Sequence, residues 1–242
     1  MKSIAFDTSN QPLSVALFDN GQLVGQKEAN IAKNHSVQLL PFMDDLLTTN
    51  GWVPSDLDQV IVSQGPGSYT GLRIAVTTAK TLAFTLGLSL IGVSSLAVLA
   101  ANVDVPNAVI VPIMDARNDN MYAGQYKWQA GVLKSVVDDR HTNLTNLIAA
   151  LEQITEQIIF VGEWDRFEES LKAHFSEAEF AEDTANLPHA ATMLALSKEA
   201  PVLTNMAAIH QFVPNYLRLS QPEADWAVKH PDAGDADYVE LV

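Results

Sequence analysis

The chain opens with three short runs in which apolar residues crowd together or alternate at strand length: Ile4 to Thr8, Leu13 to Phe18 and Gln22 to Ala29. Ser9-Asn10-Gln11-Pro12 and Asp19-Asn20-Gly21 separate them, and Asn-Gly readily takes the positive φ angles of a tight hairpin turn. The pattern predicts an antiparallel meander. The spacing then becomes helical: Val37, Leu40, Met43 and Leu47 follow Asn34, read as the N-cap, and Asn50-Gly51 stops the run. Gln59 to Ser63 is apolar and β-branched, as in a buried strand. It leads into Gly65-Pro66-Gly67-Ser68-Tyr69-Thr70-Gly71. There Gly65 and Gly67 permit positive φ and close approach of a backbone or ligand, Pro66 stiffens the turn, and Ser68 or Thr70 caps the next helix. That helix, from about Gly71 to Leu86, carries Leu72, Ala75, Val76, Ala79, Leu82, Ala83 and Leu86 as an apolar stripe of small side chains. A strand at Ser89 to Val93 and a helix from about Ser94 to Ala101 complete one α/β unit.

Asn102 to Asn107, with Pro106, marks a boundary. Beyond it Ala108 to Met114 and Met121 to Trp128 read as strands joined by the polar loop Asp115 to Asn120, and Val132 to Val137 adds a third. Asn143 to Glu152 reads as a helix, Gln157 to Val161 as a buried strand, and Glu163 to Phe175 and Ala190 to Lys198 as amphipathic helices. Each half thus starts with a strand ending in an aspartate, Asp7 or Asp115, followed by hairpin-like strands. Two α/β domains, 1–103 and 104–226, are expected, and 227–242, with Pro231, Gly234 and acidic residues, is expected as a flexible tail.

Composition narrows the chemistry. The 242 residues are 48% hydrophobic and include no cysteine, which excludes disulfides, thiolate metal sites and Cys nucleophiles. The net charge of -15, from 14 Lys+Arg against 29 Asp+Glu, argues against autonomous nucleic-acid binding and favours a basic partner protein. No signal peptide is visible, and the apolar run Leu82 to Val93 is broken by Thr85, Gly87 and Ser89, so no membrane span and a cytoplasmic location are expected. The histidines, His35 among them, show no i, i+4 pairing of the kind that holds a metal. Neither a G-x-S-x-G elbow nor a G-x-x-x-x-G-K-[ST] loop occurs. Phe6-Asp7-Thr8-Ser9-Asn10 is a turn that could hold a phosphate or a metal-bound water, or one in which Asp7 bonds its own backbone. Asp115 with Arg117 reads either as site residues or as a surface pair. Arg73 lies in a first helical turn, where a cation is disfavoured. Its partner could be a carboxylate of this chain or another subunit, a phosphate, or water.

Together, Phe6-Asp7-Thr8-Ser9, His35-Ser36-x-x-Leu39-Leu40-Pro41, Gly65 to Ile74, Gly92-Val93-Ser94-Ser95-Leu96, Asp115-Ala116-Arg117 and Pro214-x-Tyr216-Leu217-Arg218 resemble the TsaB, or YeaZ, family. The likeness is specific in the first hundred residues and patchy afterwards, and GPGSYTGLR is its most diagnostic block. It implies an α/β, actin-like ATPase (ASKHA, ribonuclease H-like) fold of two subdomains with mixed sheets. It also implies a non-catalytic role in making N6-threonylcarbamoyladenosine in tRNA decoding ANN codons, as activating partner of the transferase TsaD, with the ATPase TsaE joining them. On that reading tRNA is met only through the complex, and the isolated chain forms a homodimer.

The resemblance also gives the residues roles. The TsaD relative holds its metal with a His-x-x-x-His pair that this chain lacks. The glycine after Asp7 is missing, Asp115-Ala116-Arg117 replaces a glycine-rich second phosphate turn, and Gly162 stands alone where an adenosine site wants paired glycines. The expectation is no metal and no cofactor of its own, with ATP or ADP at the partner interface left open. The interface expected is His35, Leu39, Leu40, Met43, Leu72, Ala75, Ala79, Leu82 and Ala83; the nucleotide or anion contacts are Asp7, Thr8, Ser9, Gly65, Gly67, Ser68 and Arg73. The competing readings are a small-molecule kinase using Asp7 and Asp115 around magnesium ATP, a peptidase and a direct RNA-binding module.

Overall fold

The computed structural model describes residues 1–30 and 34–218; the acidic tail expected at 227–242 lies outside the described residues. Strands β1 (Lys2–Asp7), β2 (Pro12–Asp19) and β3 (Gln22–Asn30) form the meander, with Ile4 opposite Leu17 and Phe6 opposite Val15. Asn20 and Gly21 turn the hairpin at φ 48° and 86°. Helix α1 (His35–Thr49), strand β4 (Gln59–Gly65), helix α2 (Tyr69–Leu86), strand β5 (Ser89–Ser94) and helix α3 (Ser95–Ala100) follow. The second half repeats the plan: β6 (Val109–Arg117), β7 (Asn120–Gln129), β8 (Val132–Asn143), α4 (Leu144–Leu151), β9 (Ile158–Gly162), α5 (Glu168–His174) and β10 (Glu179–Phe180). Helix α6 (Met193–Ser197), strand β11 (Val202–Leu203) and helix α7 (Met206–Gln211) end it.

The sheets run β11-β5-β4-β1-β2-β3 and β10-β9-β6-β7-β8. In each, an antiparallel meander is extended on its first strand by parallel strands that arrive through helices. The duplicated order and mixed sheets are those of the actin-like, ribonuclease H-like fold. Alternation along the strands places Ile4, Phe6, Val15 and Val60 against α1 and α2, and Ala5, Ala16, Ile61 and Ile91 on the opposite face. Helix α3 is buried along its whole length because Val98 packs on the first sheet while Leu96 and Leu99 pack on the second.

Several elements differ from the pattern. Strand β8 runs six residues beyond Val137 because polar Asp139 turns inward, its Oδ1 accepting from the Tyr126 hydroxyl (2.5 Å) and its carboxylate also taking the Ser94 hydroxyl. Burial raises the Asp139 carboxyl, and raises Tyr126 as well. The loop expected from Asp115 to Asn120 is instead the end of β6 and a tight turn, in which Arg117, Asn118 and Asp119 all take positive φ. The helix expected from Glu163 to Phe175 is split into a 3-10 turn at Asp165–Phe167 and α5, because Glu163 is committed to the backbone N–H of Asp115. β11 and α7, too short to show as periodicity, bring the chain home: β11 pairs with β5, and α7 packs on α2. The 104–226 stretch therefore includes elements of the first sheet.

The stripe expected to meet a partner is largely core. Leu39 (1% exposed), Met43, Leu72, Ala75, Ala79 and Ala83 face the first sheet, whereas His35 and Leu82 are half-buried and Leu40 is exposed. Helical spacing identifies an apolar face without saying what covers it, and here the sheet does. An arginine in place of Ala79 must accordingly force a charge into a packed core. Ala79→Arg is expected to lower stability by about 3 kcal/mol or more in urea unfolding, with loss of native circular dichroism before any effect on assembly can be read.

Candidate functional site

The two sheets enclose a cleft of about 1050 Å³. One wall is the β1–β2 turn with the start of α2: Ser9, Asn10, Gln11, Gly67, Ser68, Thr70 and Gly71. The other is the end of β6 with Met114 to Asn118, Tyr122 and Glu163; His35 of α1 and Arg218 also line it.

On the first wall backbone meets backbone. A Cβ on Gly67 would lie 2.3 Å from the Ser9 carbonyl oxygen, and one on Gly71 1.9 Å from that of Thr8. No side chain can stand there. Ser68 donates its N–H to the Ser9 carbonyl (2.7 Å), and the Thr8 hydroxyl donates to the Gly71 carbonyl (2.7 Å). The Ser68 hydroxyl caps α2 by accepting from Gly71 N–H at 3.3 Å. Beneath this seam Asp7 is fully buried. Its Oδ1 accepts from the Ser9 N–H and hydroxyl (both 2.9 Å), and its Oδ2 from the hydroxyls of Ser9 (3.1 Å) and Ser63. Burial pushes the carboxyl up and the hydrogen bonds only partly offset this. Asp7 is thus held by its own turn and by β4.

On the second wall Asp115 Oδ1 accepts from the Arg117 N–H (3.0 Å) and from Arg166 Nη1 (2.8 Å), while Arg166 Nη2 reaches Asp119 (3.2 Å). The ion-pair partner of Asp115 is Arg166 rather than Arg117. Glu163 Oε2 accepts from the Asp115 N–H at 2.6 Å, and burial raises its carboxyl. Among the described residues no three His, Asp or Glu side chains gather to hold a metal ion, and no helix is long and apolar enough to cross a membrane.

Of the residues expected to contact an anion, Ser9, Gly67 and Ser68 line the cleft, whereas Asp7, Thr8 and Gly65 are buried behind it. Arg73 does not line the cleft but holds two tyrosines that do, its Nε donating to the Tyr216 hydroxyl (3.1 Å) and its guanidinium lying 4.4 Å over the Tyr69 ring. Tyr69 and Tyr216 stack at 5.0 Å. His35 meets the Gln11 carbonyl oxygen through Nε2 at 2.9 Å. Composition and spacing gave no role to Tyr122, Glu163, Tyr216 or Arg218 as cleft residues. The Pro214-x-Tyr216-Leu217-Arg218 block was the available signal: this segment crosses between the sheets, with Asn215 N–H on the Gln64 carbonyl (2.8 Å) and Arg218 Nη1 on the Ala116 carbonyl (2.7 Å).

Comparison with known proteins bears on this geometry. The family described as TsaD, tRNA N6-adenosine threonylcarbamoyltransferase, matches residues 26–226. The tRNA threonylcarbamoyladenosine biosynthesis protein TsaB of Bacillus subtilis is 36% identical over 228 residues, covering 93% of this chain and 98% of that protein. The chain belongs to the TsaB family. A solved TsaB-family structure, YeaZ from Pseudomonas aeruginosa, superposes with a TM-score of 0.71 at 27% identity, covering 89% of this chain and all of that one. A stretch of 65 residues is 43% identical to the tRNA N6-adenosine threonylcarbamoyltransferase of Anaeromyxobacter dehalogenans, spanning 27% of this chain and 20% of that protein. This TsaB-family chain therefore shares its two-sheet frame with YeaZ and part of its sequence with the transferase.

The sealed Asp7 has a measurable consequence. A raised carboxyl pKa means that the charged form costs stability above that pKa, so removing the charge alone is tolerated. Asp7→Asn, whose amide can donate to the Ser63 and Ser9 hydroxyls, is expected to unfold in urea within about 1 kcal/mol of the parent. Asp7→Ala, which leaves those hydroxyls unpaired, is expected to lose about 1–3 kcal/mol.

Proposed function

We propose that this protein is the non-catalytic partner of a TsaD-like transferase in making N6-threonylcarbamoyladenosine in tRNA that decodes ANN codons, in the cytoplasm. It binds and activates the transferase by heterodimerising with it; a TsaE-like ATPase joins the pair, and tRNA is met only through the complex. The observation that carries this reading is a pair of touching helices that present large apolar side chains to solvent: Val37 (67% exposed) and Leu40 (56%) on α1, and Phe84 (68%) on α2. Large apolar side chains left exposed on two helices that touch suit a protein interface with an apolar centre. The same surface would pair two copies of the chain when the transferase is absent.

The sealed turn supports a non-catalytic role. With the Asp7 carboxylate spent on Ser9 and Ser63, and Asp115 on Arg166, neither aspartate is disposed to hold magnesium ATP as the kinase reading requires. The net charge of -15 supports contact with tRNA through the complex rather than directly. We assign the chain no cofactor of its own; ATP or ADP belongs at the partner interface, near Ser68 and Arg73.

Leu40→Arg combined with Phe84→Arg tests the interface. Both side chains lie on the surface, so circular dichroism should be unchanged. The affinity for the transferase, measured by calorimetry, is expected to fall at least about tenfold, as for loss of an interface hot spot. Undiminished affinity in the folded double variant would overturn the assignment.

A further inference from the structure

The segment that leads from β10 back to the first sheet is pinned at both ends. On the second-sheet side, Asn186 Oδ1 accepts from the Gly162 N–H (2.8 Å) and Trp164 Nε1 (3.1 Å), and its Nδ2 donates to the Ala181 carbonyl (2.7 Å). Asn102 Nδ2 adds bonds to the carbonyls of Ala185 (2.8 Å) and Leu187 (2.7 Å). On the first-sheet side, the Ala190 N–H donates to the Ser14 hydroxyl (2.8 Å), which donates in turn to Glu28 Oε1 (2.8 Å).

His189 sits between these anchors. Its Nδ1 is 2.7 Å from Glu28 Oε1, and its Nε2 is 2.7 Å from the Thr184 carbonyl oxygen. An ionised carboxylate and a carbonyl both accept and neither donates. A neutral imidazole has one N–H and would turn a lone pair toward one of them; only the imidazolium satisfies both. Glu28 is the charged group acting on the ring. Its neighbour Lys27 is engaged with Asp45 of α1 at 2.6 Å, and Glu182 and Asp183 of the strap are exposed.

We propose that His189 is a proton-operated latch: charged, it ties the strap 182–190 to the first sheet; neutral, it must release either Glu28 or the Thr184 carbonyl. The strap's Asn186 and Leu187, with Asn10, Gln11 and Trp164, line a cavity of about 270 Å³ beside the main cleft, so release is felt there.

The pH window follows from the two partners. The Glu28 hydrogen bond, against the opposing effect of burial, raises the His189 pKa. Its contribution is complete below the pKa of an unfolded histidine, about 6.5, and is lost as pH rises through the folded value. Burial would raise the Glu28 carboxyl, but the bonds from His189 and Ser14 outweigh it and hold the pKa below the ordinary value. That contribution is lost only as pH falls through the lowered value. The latch is closed below the pKa of an unfolded histidine and opens as pH rises through the raised His189 value.

Nitrogen-15 NMR of the histidine rings in the full chain, with hydrogen exchange of 182–190 corrected for intrinsic rates, tests this. His189 is expected to carry protons on both nitrogens at pH 6 and to titrate above an ordinary histidine, with strap protection falling several-fold through the same titration. Glu28→Gln should lower the His189 pKa, and His189→Gln should make protection independent of pH. A His189 that titrates at or below the ordinary value, or strap protection in the parent chain that stays flat through its titration, would overturn the latch.

Discussion

The contact on which the cleft depends is the seam between the turn after β1 and the loop before α2. There the carbonyl oxygens of Thr8 and Ser9 approach so closely that only hydrogens fit at Gly71 and Gly67. The seam sets where α2 begins, because Ser68 is held by the Ser9 carbonyl and caps the helix from that position. It also decides the chemistry beneath. Asp7 stands at the end of the first strand, but its lone pairs are taken by groups two residues away and on β4, and it is shut off from solvent. An open turn there would present a carboxylate to a ligand; this one uses the carboxylate as a fastening.

The same economy recurs where the halves meet. α3 has both sheets as neighbours, and its N-cap Ser94 is shared with Asp139 and Tyr126 of the second sheet. At one side the segment ending in Tyr216 and Arg218 crosses from β4 to β6; at another the strap through Asn186 and His189 crosses from β9 to β3. The two crossing segments add hydrogen bonds to the apolar packing of α3, so the relation of the sheets rests in part on a few buried or half-buried polar groups whose pairing must be complete. Partial pairing at any of them is costly, which makes a titrating member consequential.

In the TsaB family frame, α1 and α2 divide their side chains between the first sheet and solvent. α2 turns its small residues to the first sheet and α1 its Leu39, Met43, Leu46 and Leu47, while Val37, Leu40, Tyr69 and Phe84 stand outward. Small residues allow the helices to sit close to the sheet, whereas large exposed ones can fill a pocket on another protein.

Much of the fold was legible in the sequence because it is locally determined. The Asn20-Gly21 hairpin, the β-branched run at Gln59, the glycine loop and the helix after it each follow from propensity and period, and repetition of strand-then-aspartate announced the two halves. The site was less legible. Sequence marked Asp7, Ser9 and Gly67 as neighbours of interest, but whether Asp7 points at a ligand or at Ser63 depends on β4 lying beside β1, a contact between residues 56 apart. Likewise, spacing could assign Ala75 and Ala79 to one face, yet only packing on the sheet made that face core and left Leu40 and Phe84 outside. Arg166 with Asp115, His189 with Glu28, and Tyr216 with Tyr69 join residues 51, 161 and about 150 positions apart. The sequence by itself determined which segments are strands and helices, because backbone preference and apolar period act over a few residues. Tertiary structure alone decided what each face and each charged group meets, because those partners are set by how the finished sheets lie together.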